Sequence, residues 1–283
     1  MARRIFPSER RSWLLRYLTV PLLLLGALLA LAATLSSLAT ATAPRHLPST
    51  ATNLAQAFAA EYGVTLPHIA ASAAYIFDAD TGAMLFERNP DSSSMGLSKG
   101  EQLTLGDLLY GLLLPSANDA SVAIADGVGG SEAQFVALMN QEAQQLGLTH
   151  THFANPHGLD ADGHHTTARE LAKLAALALR NPIIARIAAT HHYAIPKTAT
   201  HKAFDLVNYN SILPGGRTPY PGAIGLKPGN TGDAGWCEAF AARRYGHLVI
   251  GVVLNDPTWS RRNDDMHTLL DWAFVQLGVP PAG

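Results

Sequence analysis

Leu103 to Ala120 reads LTLGDLLYGLLLPSANDA, and it restricts the fold more than any other stretch of the chain. Leu105, Leu108, Leu109, Leu112 and Leu113 recur at helical spacing after a capping-box-like start at Thr104 and Asp107. No charge interrupts the run from Leu108 to Leu114, which predicts a helix buried on most of its circumference. The rest of the chain must therefore build a core around it. Pro115 stops the helix, because proline cannot donate the next backbone hydrogen bond. Ser116, Ala117, Asn118 and Asp119 follow, then a second apolar run from Ala120 to Val128. Ser116 and Asn118 have two readings: caps of that second helix, or a hydroxyl and an amide held at the end of a buried helix as a site. On these residues alone the caps are favoured.

At 283 residues, with 48% hydrophobic residues and 24 glycines, the chain can bury a sizeable core in one large domain or two small ones. The net charge is −2, and no basic tract lies beyond the N-terminus, so nothing points to nucleic acid. Cys237 is the single cysteine, which excludes an internal disulfide. The N-terminus reads as an export leader: Arg3, Arg4, Arg10, Arg11 and Arg16 precede an uncharged stretch from Tyr17 to Ala43. Ala41-Thr42-Ala43 offers a cleavage site, and the stretch is also long enough for an uncleaved signal anchor. Arg10-Arg11-Ser12-Trp13-Leu14 resembles a twin-arginine signal. Residues 1–43 carry five arginines and one glutamate, net +4, so the remainder holds −6. The expectation is an exported protein, working in the periplasm or otherwise outside the cytoplasmic membrane, which it meets only through this segment.

Residues 44–72 read as a linker with one short helical segment, Leu54 to Tyr62, and the folded domain is expected over 73–278. Ala74 to Phe77 and Met84 to Glu87 flank an Asp/Gly turn and predict a hairpin. Asp78 and Asp80 lack the spaced ligands of a calcium loop, so turn chemistry accounts for them. A helix from Ser131 to Leu146 is capped by Ser131 and stopped by Gly147. His150 to Thr167 is a polar loop with five histidines, ending in a capping box at Thr167 and Glu170. Its histidines lack the i, i+4 spacing and adjacent glutamate of a zinc peptidase, so it reads as a structural or substrate-lining loop, with no metal and no cofactor expected. Strand-like pieces lie near His192 to Ile195 and Phe204 to Asn208. Ile224 to Gly232 then carries Lys227 out of an apolar run into glycines, where a backbone can approach an anion closely. Trp236 to Ala242 alternates, Leu248 to Leu254 is a buried strand, and Arg243 to Gly246 joins them. Met266, Leu269, Leu270, Phe274 and Leu277 stripe a closing helix.

Ser116-x-Asn118 after a buried helix, His157-Gly158-Leu159-Asp160 in a loop, and Lys227-x-Gly229 opening a hairpin stand in the order of the serine acyl-transfer enzymes with S-x-N and K-T-G elements. Over nearly all of Ala74 to Phe274 the chain resembles the D-alanyl-D-alanine carboxypeptidases, the low-molecular-mass penicillin-binding proteins. Tyr75 to Glu87, Met95-Gly96-Leu97, Leu108 to Ala120, Phe153 to His164 and Gly225 to Cys237 carry the likeness, with Leu270-Asp271-Trp272 near the end.

The resemblance implies an α+β fold of the β-lactamase and DD-peptidase type: an antiparallel sheet packed by helices, plus a mostly helical lobe, with the site at their seam. It implies a serine-type D-Ala-D-Ala carboxypeptidase lineage acting on peptidoglycan stem peptides, with β-lactams as the other ligands. It gives Ser116 and Asn118 catalytic roles, in proton transfer and in orienting the substrate amide. It gives Lys227 and Gly229 the binding of the terminal carboxylate. Two departures matter. The family's S-x-x-K, whose serine is acylated and whose lysine accepts the proton, occurs nowhere in the chain, and the text runs from Asn89-Pro90-Asp91 straight to Ser92. Ser98-Lys99 does not replace it, since adjacent residues on a helix face apart. The K-T-G appears as Lys227-Pro228-Gly229, losing a hydroxyl and a backbone donor. The expectation is a catalytically impaired member with weak, non-covalent β-lactam binding and a fold lacking one core helix. The alternative is a stem-peptide-binding module that never cleaves.

Overall fold

A computed structural model describes residues 73–78, as backbone, and 94–282. The leader, the linker, the second strand of the predicted first hairpin and the Asp91–Ser92 junction lie outside the described residues. Strand β1 (Ala73–Asp78) comes first. Helices α1 (Leu105–Leu113), α2 (Asn118–Ile124), α3 (Glu132–Gln145), α4 (Ala168–Arg180) and α5 (Pro182–Ala188) follow. Strands β2 (His192–Ile195), β3 (Phe204–Val207), β4 (Ala223–Thr231), β5 (Gly235–Arg244) and β6 (His247–Asp256) precede the closing helix α6 (Trp259–Gln276). This is a mixed α+β architecture. One antiparallel sheet runs in the order β1-β6-β5-β4, and β2 and β3 form a separate antiparallel pair.

The alternation read in Trp236 to Ala242 is real, but it does not divide core from solvent. Six consecutive residues of β5 are buried. Ala239 and Ala241 pack with Ile250, Val252 and the helical lobe, whereas Phe240 and Ala242 pack with Val249, Val253 and α6. The sheet has helices on both faces, with α6 on one and α4 on the other, so successive side chains enter two different cores. Each fully buried leucine or phenylalanine adds roughly 1.5–3 kcal/mol to folding. Gly251 is dictated by this packing, because a Cβ there would lie 2.2 Å from the Phe240 ring.

The helix signals are placed as the sequence spaces them. Thr104, Ser131 and Thr167 each cap their helix, accepting from the backbone N–H of Asp107, Gln134 and Glu170. Glu170, however, does not reach back to complete a capping box. It is buried and turned outward from its helix, accepting from the His150 N–H and from the Thr151 hydroxyl at 2.5 Å, and so anchors the histidine loop. Helix α2 starts two residues before the expected Ala120, and its last turn widens to a π-turn over Ala125–Gly129. Gly129 there lies against the Phe135 backbone, closer than any Cβ tolerates.

Candidate active site

Ser116 and Asn118 are not caps. The N-cap of α2 is Ala117, which makes no side-chain cap bond, and Asn118 is the first helical residue. Pro115 ends α1, and the chain turns through Ser116 at φ 62°, the left-handed region that a serine enters at a cost of about 1–2 kcal/mol. Ser116 is buried, and among the described residues neither its Oγ nor Asn118 Oδ1 has a hydrogen-bond partner. A strained corner with two unsatisfied polar atoms is what a folded chain avoids unless a ligand uses it. Asp119 braces the corner by accepting from the N–H groups of Met95, Leu97 and Ala120. Burial opposes ionisation of Asp119, but the Leu97 and Met95 donors outweigh it and hold the carboxyl below the usual range.

Lys227 lies on β4, the edge strand, which is where a proline at 228 is tolerated within a sheet. It is 2% exposed, and its Nζ donates to the Pro228 carbonyl at 2.7 Å. Ser116, Lys227 and Gly229 line one cleft of about 570 Å³ between the helical lobe and the sheet. Residues 207–211 form another wall, tied to the α1 end by the Tyr209 N–H donating to the Leu114 carbonyl at 3.1 Å. The loop at 215–217 closes over it, and Gly216 is required because a Cβ would meet the Ser211 carbonyl oxygen at 2.2 Å. Trp236, Trp259 and Arg262 complete the lining. The cleft thus brings together Ser116, Lys227 and Gly229 of the four expected residues, while Asn118 stands beside Ser116 without being part of the lining.

Three features of the cleft and of the layer behind it carry no motif in the sequence. Arg262 is 2% exposed at the start of α6, donating to the Cys237 carbonyl at 3.3 Å and to Asn263 Oδ1 at 3.2 Å. Asn263 in turn accepts from the Ser211 hydroxyl at 2.6 Å, linking α6 to the cleft wall. Glu238 is fully buried, with Oε2 3.4 Å from Arg262 Nη2. Burial pushes its carboxyl up to about 7 although Arg262 and Lys227 both favour the charged form. Its one visible signal is a glutamate inside the apolar run of β5. Arg217, whose guanidinium lies 5.9 Å over the Trp259 ring, is flagged only by the preceding glycine pair.

The histidine loop is structural, and among the described residues it contributes nothing to the cleft lining. Asn155 folds the loop on itself, donating to the Leu159 carbonyl and accepting from the Gly158 N–H. Ser121 of α2 donates to the Pro156 carbonyl at 2.5 Å, and Thr231 at the end of β4 donates to Asp160 at 2.9 Å. The loop therefore clamps the two cleft-bearing elements together from outside. Burial lowers the His157 imidazole's proton affinity, with Glu132 acting in the opposite sense. No group of three or more metal-ligating side chains occurs among the described residues. The lone thiol, Cys237, is buried, raised by desolvation, and accepts from the Asn255 N–H.

Known proteins match this chain in sequence and in fold. The sequence model of the D-alanyl-D-alanine carboxypeptidases matches residues 89–258. The D-alanyl-D-alanine carboxypeptidase DacF of Bacillus subtilis is 37% identical over 189 residues, covering 67% of this chain and 47% of that protein. The D-alanyl-D-alanine carboxypeptidase of Streptomyces sp. strain K15 is 36% identical over 193 residues, 65% of each chain. The crystal structure of the Streptomyces K15 DD-transpeptidase superposes with a TM-score of 0.68 at 30% identity, covering 75% of this chain and 99% of that one. The chain thus spans from about half to about two thirds of the length of these two curated relatives. The match takes in the Ser116 corner, the histidine loop and the Lys227 strand together. By sequence and by fold, this chain belongs to the D-alanyl-D-alanine carboxypeptidase family.

Proposed function

We propose that the protein is exported and engages the D-Ala-D-Ala ends of peptidoglycan stem peptides, holding them without forming an acyl-enzyme. The observation that carries this reading is a cleft walled by Ser116 and Lys227 in a chain with no Ser-x-x-Lys. Lys227 supplies the positive charge for a terminal carboxylate, and Gly229 lets the peptide backbone lie close to the edge strand β4. Ser116 and Asn118 offer the unsatisfied oxygens that hydrogen-bond the scissile amide and its neighbour. Pro228 removes one strand donor and one hydroxyl, which weakens the hold on the peptide.

Hydrolysis by the family route needs a serine hydroxyl and a lysine amine side by side, and losing one member of such a unit removes nearly all of its rate. Calorimetric titration with N-acetylated D-Ala-D-Ala peptide is expected to give saturable binding with no release of D-alanine. Absence of saturable heat ends the binding half of the reading, and steady D-alanine release ends the other half. β-Lactams are expected to compete for the cleft weakly and reversibly. The leader tethers or delivers the protein to the outer side of the cytoplasmic membrane, which fractionation of the producing cells checks.

A further inference from the structure

Behind the cleft lining lies a buried carboxylate that the family chemistry leaves without a task. Glu238 is cross-strand from Pro228, and among the described residues neither of its oxygens accepts a hydrogen bond. Its ion pair is the 3.4 Å approach of Arg262. A buried pair kept for stability needs close, multiply hydrogen-bonded geometry to offset desolvation, and this one lacks it. Arg262, for its part, lines the cleft, and its Nε has no hydrogen-bond partner. The guanidinium therefore has carboxylate on one side and donor capacity left over at the cleft.

We propose that Glu238 is the resident counter-ion of Arg262, a cation that lines the cleft, and that a ligand's carboxylate replaces its charge, so that binding is accompanied by proton uptake at Glu238. Across from Glu238, β4 presents Pro228, with Lys227 next to it acting on the carboxyl only through its charge; α6 presents Arg262, and its β6 cross-strand partner is the apolar Val253. Asp256, buried at the end of β6, acts with Arg262 on the neighbouring Cys237, and Asp265, one turn beyond Arg262 on α6, is a further buried acid. With Glu238 poised by burial near neutrality, a second carboxylate beside Arg262 tips it to the neutral acid. The only bond formed is the O–H of the carboxyl, and the proton comes from solvent. Glu238 is thus a positioning residue: it holds Arg262 in place while the cleft is empty and yields its charge when the ligand arrives.

The identity of the ligand rests on the function proposed above, while the proton coupling does not. The test is calorimetry of the full chain at pH 7 in two buffers of different ionisation enthalpy, with N-acetyl-D-Ala-D-Ala and, separately, acetate as probes. Uptake of about half a proton per bound ligand is expected, with affinity falling as pH rises from 6 to 8. Glu238→Gln should abolish both the uptake and the pH dependence while still binding. In the unmodified protein, the carbon-13 carboxyl signal of Glu238 should titrate near neutrality and move to higher pH with ligand, which needs no variant to fold. Acetate binding with proton uptake but no dipeptide binding would leave the counter-ion in place and remove the peptide assignment. Dipeptide binding with no uptake, with the same uptake in Glu238→Gln, or a Glu238 carboxyl that is ionised throughout, overturns the proposal, as does failure of both carboxylates to bind.

Discussion

At the Arg244 end of β5, buried polar groups are fully occupied. Tyr220 donates to Asp271 at 2.8 Å, Arg244 donates to the Tyr220 oxygen at 3.2 Å, and Asp271 also accepts from the Ala282 N–H. Burial raises the Tyr220 hydroxyl well above its ordinary value, so it stays a donor. At the Gly235 end, Glu238 and Arg262 are buried more deeply than Arg244 and Asp271, yet among the described residues the carboxylate has no hydrogen bond, and Arg262 borders the cleft. The two clusters share a strand and a packing helix and differ in depth of burial and in hydrogen-bond satisfaction. A satisfied cluster locks the fold, whereas the unsatisfied one is where the proposed ligand would complete the hydrogen bonding.

The most damaging way to test that contrast is Arg262→Ala, which strands the Glu238 charge. Chemical denaturation at pH 8 should show a loss of about 3–5 kcal/mol, shrinking as pH falls and the carboxyl protonates. Next comes the pH dependence of the unaltered protein. Glu238 is raised from 4.5 unfolded to about 7 folded, so the folded state holds more protons between those values. Its contribution to stability is therefore full below pH 4.5 and lost as pH rises towards 7, on the order of 3 kcal/mol in all. Urea midpoints across that window should show the slope, and Glu238→Gln should remove it. Tyr220→Phe, at the satisfied end, should cost about 1–2 kcal/mol in thermal denaturation and leave peptide binding unchanged. The smallest effect has the opposite sign: Ser116→Gly relieves the left-handed φ and should stabilise by about 1 kcal/mol while weakening peptide binding.

The same contrast marks what the sequence could disclose. Caps and stops at Thr104, Ser131, Thr167 and Gly147 are local chemistry, and the backbone follows them. Lys227 and Ser116 were legible because their motifs keep a fixed order along the chain. The local reading of Ser116 as a cap fails, because a cap needs extended backbone and this residue adopts φ 62°. Arg262, Trp259 and residues 207–211 were not legible, since only the tertiary fold brings a helix start and a distant loop to one cleft. Glu238 was visible as an acid among apolar residues, but its meaning waited on α6 covering that face of the sheet. The histidine loop, read from the sequence as structural or substrate-lining, takes its place by contacts the sequence does not show: Ser121 of α2 donates to its Pro156 carbonyl and Thr231 of β4 to its Asp160.

The central claim is that the cleft holds its ligand without a nucleophile. Intact-mass spectrometry of the full chain after prolonged incubation with excess benzylpenicillin tests it most directly. The expected result is an unmodified mass in a protein that still binds the D-Ala-D-Ala peptide. A stable adduct of one penicilloyl group on any serine of the cleft, Ser116 above all, would contradict it.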